Sequence, residues 1–131
     1  MEFKNKSDSE ISVLKILVCG ATGFIGRNLT EHFTKIGKYK VYGTYHTRPH
    51  YGVAGVEWIK ADLTNAIEVD NAVKGMDIII QAAATTSGSR DIVNAPYLHV
   101  TDNAVMNSLI LRAAYDNRVG HVVFFSCTVM Y

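Results

Sequence analysis

The sequence predicts an α/β fold, a doubly wound parallel sheet of five strands in the order 3-2-1-4-5, on three observations. Short, continuously apolar runs such as Ile16-Leu17-Val18-Cys19 and Ile78-Ile79-Ile80 have the length and composition of strands buried on both faces. Between them lie segments whose apolar residues recur every three or four positions, the period of a helix laid on a sheet. A glycine-rich turn, residues 20 to 26, joins the first such run directly to the first such segment. Strands alternating with helices imply right-handed crossovers and a sheet covered on both sides. With 131 residues, 48% hydrophobic and 19% charged, the chain is long enough for one core and too short for two sizeable domains.

Residues 1 to 13 are polar and of mixed charge, the composition of a mobile tail, and order is expected from Leu14. After the glycine turn, Ile25, Leu29, Phe33 and Ile36 trace one face of a helix that Gly37 closes. Lys40 to Tyr45 reads as the second strand. Pro49, Gly52 and Gly55 then mark a loop before a third strand, Val56 to Ile59. Thr64 is placed to cap a helix reaching Val73. Gly75 ends it, and Asp77 to Gln81 supplies the fourth strand. Small and polar residues 82 to 90 read as a loop. The pairs Val105/Met106, Leu109/Ile110 and Ala113/Ala114 set the stripe of a long helix from about Ala95 to Asn117. Val122 to Phe125 is the fifth strand.

The formal net charge of +1 gives no basic excess for nucleic acid, and no apolar run approaches the roughly 20 residues that span a bilayer. The start MEFKNKSDSEIS has no apolar stretch behind a basic flank, so it is not a secretory signal. Two cysteines, Cys19 and Cys127, both in apolar runs, are poor material for a disulfide framework and fit a reducing compartment. A cytoplasmic protein with neither nucleic-acid nor membrane partners is the expectation.

The run Gly20-Ala21-Thr22-Gly23-Phe24-Ile25-Gly26 carries the chemistry. A tight turn at a strand end needs glycine, a second glycine lets backbone approach a pyrophosphate, and a third lets helix and strand pack closely. Exposed amides and partial positive charge at the helix N-terminus then hold phosphates. A bare glycine pattern also occurs in α/β turns without a nucleotide, so the strand, turn and helix in register carry the inference to a Rossmann-like dinucleotide site. An acid about 20 positions on would bind the ribose hydroxyls of NAD. Between Glu31 and Glu57 there is none, and Thr44-Tyr45-His46-Thr47-Arg48 offers hydroxyls and a guanidinium instead. Those suit the 2′-phosphate of NADP, which is favoured over NAD; the other reading of Arg48 is a solvated loop cation. His46 and His50 are four apart, but Pro49 breaks any helix between them, which disfavours a metal pair.

Several of these motifs, in this order, resemble the extended short-chain dehydrogenase/reductase group, the NAD-dependent epimerase/dehydratase family, over residues 14 to 131. GATGFIG at 20 to 26 resembles its glycine signature, Ala61-Asp62-Leu63 its post-strand segment, and Gln81-Ala82-Ala83-Ala84 its turn beside the cofactor. The resemblance implies that Asp62 holds the adenine amino group, with Leu63 and the turn Ala82, Ala83 and Ala84 beside the cofactor. A lone aspartate after a strand is equally a helix cap. Asn103 is expected either to bond across to the active-site strand or to face solvent. Gln81-Ala82-Ala83-Ala84 and the run from Asn103 to Tyr131, including Ala113-Ala114, Asn117, Val119 and Phe124, are most similar to the GDP-fucose synthase branch, NADP-dependent epimerase-reductases.

The segment Ser126-Cys127-Thr128-Val129-Met130-Tyr131 resembles the family's S-S/T-x-x-V-Y stretch, whose hydroxyl bonds the reacting sugar oxygen. Counting back from Tyr131, that position holds Cys127, a departure, since a thiol is a weak donor. Thr128 or Ser126 takes the role by a small register change, or polarisation is impaired; Cys127 as a nucleophile lacks a visible basic partner. The family's general acid, a tyrosine paired with lysine as Y-x-x-x-K, occurs nowhere in the chain. The resemblance therefore implies that residues 14 to 131 are the N-terminal portion of an NAD(P)-binding domain, truncated before the catalytic pair and the substrate domain. The parent is expected to be a homodimeric enzyme on a nucleotide-sugar. A non-catalytic dinucleotide-sensing module, or a hydroxysteroid or flavonoid reductase of the same group, stays open.

Overall fold

The computed structural model describes residues 12–86 and 89–126. The expected tail lies outside them except for Ser12 and Val13. In chain order the elements are β1 (Lys15–Cys19), α1 (Phe24–Ile36), β2 (Lys40–Tyr45), β3 (Val56–Lys60), α2 (Ala66–Val73), β4 (Ile78–Gln81), α3 (Ser89–Asn94), α4 (Pro96–Asp116) and β5 (His121–Phe124). The strands form one sheet in the order β3-β2-β1-β4-β5. All four pairings are parallel, with Ile16 opposite both Val41 and Ile78. The expected Rossmann-like topology is what the chain adopts. Because the chain runs outward from β1 first to one side and then to the other, the strand order reverses there and a crevice opens at the carboxyl ends.

Two core layers follow from burial on both faces. On one, α2 and α4 bury Val69, Val73, Met106 and Ile110 against Leu17 and Ile79. On the other, α1 covers Ile16, Val18 and Ile80 with half-buried Leu29 and Phe33, and Trp58 of β3 packs against the same cluster. The stripe predicted for α1 is rotated by about one position. Gly26 and Thr30 are its buried residues, whereas Ile25 and Ile36 are 47% and 40% exposed. The reason is steric: α1 approaches the turn before it through Gly26, so the line nearest the sheet starts there rather than at Ile25. In α4, similarly, Met106 is buried while Val105 stays 37% exposed.

Two expectations are corrected. Asn65, not Thr64, caps α2, its Oδ1 accepting from the amides of Ile67 and Glu68 at 3.0 and 3.2 Å. Glu68 reaches back past the cap and accepts from the amide of Asp62 at 2.7 Å, tying the Asp62 segment to the first turn of α2. The loop after β4 is also shorter than expected, since α3 begins at Ser89.

Candidate functional site

The crevice is a cleft of about 910 Å³ lined by the glycine turn, the end of β2, the Ala61–Thr64 segment and the turn after β4. Each wall is positioned by a bond that the sequence supplies locally or from the neighbouring strand.

Gly20 has φ +72, and a Cβ on it would lie 2.5 Å from Ala83 Cα. The turns after β1 and β4 thus touch backbone to backbone. A Cβ on Gly26 would lie 2.1 Å from the Gly20 carbonyl oxygen, so helix and turn are also in direct backbone contact. Gly23 differs: a Cβ there would meet nothing closer than that same oxygen at 3.4 Å, an ordinary contact. Nothing in the protein's own packing excludes a side chain at Gly23, the N-cap of α1. No side chain caps this helix and its first turn carries no acid. First-turn amides have no intrahelical partners, and with the helix dipole they offer an anion site.

Thr44 is buried, and its Oγ1 accepts from the Gly20 amide at 2.9 Å. Its hydroxyl therefore shapes the glycine turn. The Ala21 amide donates to the Thr44 carbonyl at 3.0 Å, straddling the same residue. Arg48 lines the cleft with Thr22, Phe24 and Ile25, and donates a long 3.4 Å bond to the Thr22 carbonyl.

Asp62 lines the opposite wall with buried Leu63. Its Oδ1 accepts from the Thr64 hydroxyl at 2.6 Å and the Thr64 amide at 2.9 Å. The hydroxyl first, and then the amide, holds this carboxyl below the usual carboxylate range. Asp62 therefore neither caps α2 nor stands unsupported; it is a fixed anionic acceptor at the cleft wall.

Behind the third wall lies a polar network that sequence reading left unassigned. Gln81, buried at the end of β4, accepts from the Ala83 amide at 3.2 Å and donates to Asn107 Oδ1 at 2.9 Å. Asn103 accepts from the Thr85 amide at 2.8 Å and donates to the Thr85 and His99 carbonyls. Among the described residues, Asn103 thus bonds Thr85 and His99 and splints the loop that Ala82, Ala83, Ala84 and Thr85 contribute to the cleft. Gly26 likewise supports the site from behind. Tyr45, His46, Thr47, Asp102 and Met106 also line the cleft. A buried glutamine at a strand end facing two asparagines four apart on one helix was the readable signal for the network.

Ser126 is exposed just past β5, and Cys127, Thr128 and Tyr131 lie outside the described residues. Buried Cys19 sits at the end of β1, its thiol pushed up to about 12 by desolvation alone. It is a core residue, inert near neutral pH.

The donor set fits a dinucleotide: a glycine turn packed on the alanine turn after β4, uncapped amides, an anionic acceptor and a nearby guanidinium. Comparison with known proteins agrees. The chain is 27% identical over 132 residues to a dTDP-glucose 4,6-dehydratase from Streptomyces niveus, covering 90% of this chain and 39% of the relative. It is 30% identical over 115 residues to a 2-alkyl-3-oxoalkanoate reductase from Stenotrophomonas maltophilia, covering 86% of this chain and 33% of the relative. Across the curated relatives it matches, it spans between 12% and 39% of their length. Among solved structures, a uronate dehydrogenase variant from Agrobacterium tumefaciens complexed with NAD superposes with a TM-score of 0.72 at 20% identity, over 88% of this chain and 41% of that one. At that identity the likeness is one of fold. The family model for NAD dependent epimerase/dehydratases matches residues 16–131. The chain belongs to the NAD dependent epimerase/dehydratase family.

Proposed function

We propose that the chain is the cofactor-binding portion of an NADP-linked epimerase, reductase or dehydratase acting on a nucleotide-activated sugar. The observation that carries the cofactor reading is the N-terminus of α1: Gly20 and Gly26 are required by internal packing, whereas Gly23 caps an open helix end and is spared a side chain that the protein itself would accommodate. The first-turn amides and Thr22 would hold the pyrophosphate, and Asp62 would accept from the adenine amino group. Arg48, at a strand end without an acid, would pair with the 2′-phosphate. When bound, the nicotinamide supplies hydride exchange at a sugar carbon, and Ser126, Cys127 and Thr128 would contribute the polar contact to the reacting oxygen.

The nucleotide-sugar class is supported by the dehydratase relative and by likeness to the GDP-fucose synthase branch, which points to epimerase-reductase chemistry. Exposed Tyr97, Val100, Leu111 and Tyr115 on α4 support a homodimer, and two cysteines in apolar runs fit a reducing, cytoplasmic compartment. The test is fluorescence titration of the 131-residue chain with NADPH and NADH. Binding of both, with NADPH tighter by about tenfold, is expected for one additional charge-assisted contact. Equal or reversed affinities would remove NADP from the reading, and no binding of either would sink it. The sugar half is tested on the whole protein, as nicotinamide redox change on adding GDP-, UDP- or dTDP-sugars.

A further inference from the structure

We propose that Tyr51 is a positioning residue for cofactor selection, tying the 46–55 loop to the glycine turn and thereby holding Arg48 at the mouth of the cleft. This rests on the reading of the cleft as an NADP-favouring dinucleotide site. Loop 46–55 lies along one side of α1 and is fastened there at three levels. Gly55 packs on Thr34, where a Cβ would come within 2.9 Å of its Cγ2. Tyr51 lies beneath the Arg27 guanidinium, 4.5 Å from its ring centroid, and its hydroxyl is 3.0 Å from Thr30 Oγ1. Arg48 itself makes, among the described residues, only the long bond to Thr22. Arg27, Thr30 and Thr34 are spaced three and four apart, so they form one ridge of the helix.

Of these fastenings, the Tyr51 hydroxyl is the one bonded deep in the grip: it donates to the carbonyl of buried Ala21 at 2.8 Å. Ala21 lies between Gly20, whose amide Thr44 holds, and Thr22, whose carbonyl Arg48 reaches. The hydroxyl is also well placed to remain a donor, since burial pushes the phenol above its ordinary value. The ring is further braced edge-on by Trp58, with centroids 5.3 Å apart, and Trp58 carries the stacked His50 at 4.8 Å.

The consequence for Arg48 is one of tether length. Three residues of chain reach at most about 10 Å, so a fixed Tyr51 confines the Arg48 backbone to the neighbourhood of the turn. An arginine otherwise gives up considerable rotamer and backbone freedom to meet a ligand, and a pre-placed one gives up less. Tyr51 would therefore act on NADPH affinity through Arg48, on a contact that NADH does not make.

The experiment titrates NADPH and NADH into the 131-residue chain as wild type, Arg48→Ala, Tyr51→Phe and the double variant, with Trp58 fluorescence and thermal midpoints recorded for each. Wild-type selectivity that Arg48→Ala abolishes upholds the underlying reading; its absence defeats that reading separately, and with it the role of Tyr51. Given that selectivity, Tyr51→Phe is expected to reduce it by at least about threefold, part of the roughly tenfold carried by the arginine contact. The double variant is expected to be no less selective than Arg48→Ala alone. Arg27→Met, which leaves the hydroxyl in place, should shift selectivity the same way but less, and it serves if Tyr51→Phe folds poorly. Equal losses for both cofactors, or unchanged selectivity in both Tyr51→Phe and Arg27→Met, would overturn the proposal.

Discussion

Gly23 and Gly26 sit three residues apart in one turn, yet they answer to different constraints, and substitution separates them. Alanine at Gly26 drives a methyl to 2.1 Å from the Gly20 carbonyl oxygen, which only movement of α1 relieves. Gly26→Ala should cost about 3 kcal/mol or more in urea-unfolding measurements, at the upper end of overpacking penalties. Gly23→Ala meets its nearest atom at 3.4 Å and should cost no more than about 1 kcal/mol, the range of N-cap changes. Its effect should fall instead on dinucleotide affinity, reduced by about tenfold or more as the methyl crowds the phosphates. A Gly23→Ala protein that binds NADPH as tightly as wild type would show that the space before α1 is not a pyrophosphate site. Cys19 gives a second prediction at this scale. Its thiol has an ordinary value of 9.0 and is pushed up to about 12 by burial, so the folded state holds the proton more tightly than the unfolded state. The associated stability is fully present below about pH 9 and is lost as pH rises towards 12. Cys19→Ala should therefore flatten the decline of urea midpoint between about pH 9 and 10.5 relative to wild type. An unchanged slope would mean the thiol is not buried as described.

At the scale of elements, α2 shows where local reading succeeds and where it stops. A capping residue ahead of Ala66 was legible, but Thr64 and Asn65 are both good caps, and the choice rests on Asp62, which takes the Thr64 hydroxyl for itself. Asn65→Ala should cost about 1 kcal/mol, whereas Thr64→Ala should leave the cap intact. The Thr64 change should instead let the Asp62 pKa rise back towards 3.8, as carboxyl chemical shifts in an NMR pH titration would report. The sign follows from the lowered value: stability linked to Asp62 is present above its unfolded pKa and is lost as pH falls through the folded one, so the two proteins should differ at neutrality and converge in acid. An Asp62 pKa insensitive to Thr64 would contradict the bond. Strand positions were legible to within a residue, because buried parallel strands are continuous apolar runs; β2 falls at Lys40–Tyr45 as expected. The α1 stripe was displaced because hydrophobic periodicity cannot register a glycine contact that brings the helix in at Gly26. The Tyr51 fastening was illegible for a related reason. It joins residues 30 and 21 positions apart through a loop without periodicity, and nothing local distinguishes a tyrosine that bonds Ala21 from one that faces water.

For the molecule as a whole, the two faces of the sheet are unequally filled. The face under α2 and α4 carries a continuous cluster from Leu63 and Val69 through Met106 to Ala114, while the apolar cluster under α1 is smaller, formed among the described residues by buried Ile16, Val18, Ala21 and Ile80. The grip is therefore built on the thinner side, where local opening is easiest, and the ordering needed to hold phosphates is supplied in part by the ligand. Two consequences can be measured together. In hydrogen exchange, amides of α4, β1 and β4 should be the most protected in the free protein, with α1 opening at lower free energy. Ligand that binds only the folded state stabilises by mass action, about 2.7 kcal/mol at a hundredfold excess over Kd, which for a domain of this size raises the melting midpoint by about 4 °C or more. NADPH should produce that shift and should also concentrate its added protection in the first turn of α1, the Ala82–Ala84 turn and loop 46–55, leaving the α2/α4 layer limited by global unfolding. A midpoint that rises with protection spread evenly over both faces would instead place the ligand's effect on the common core, and the division of the sheet into a stable back and an orderable front would be wrong.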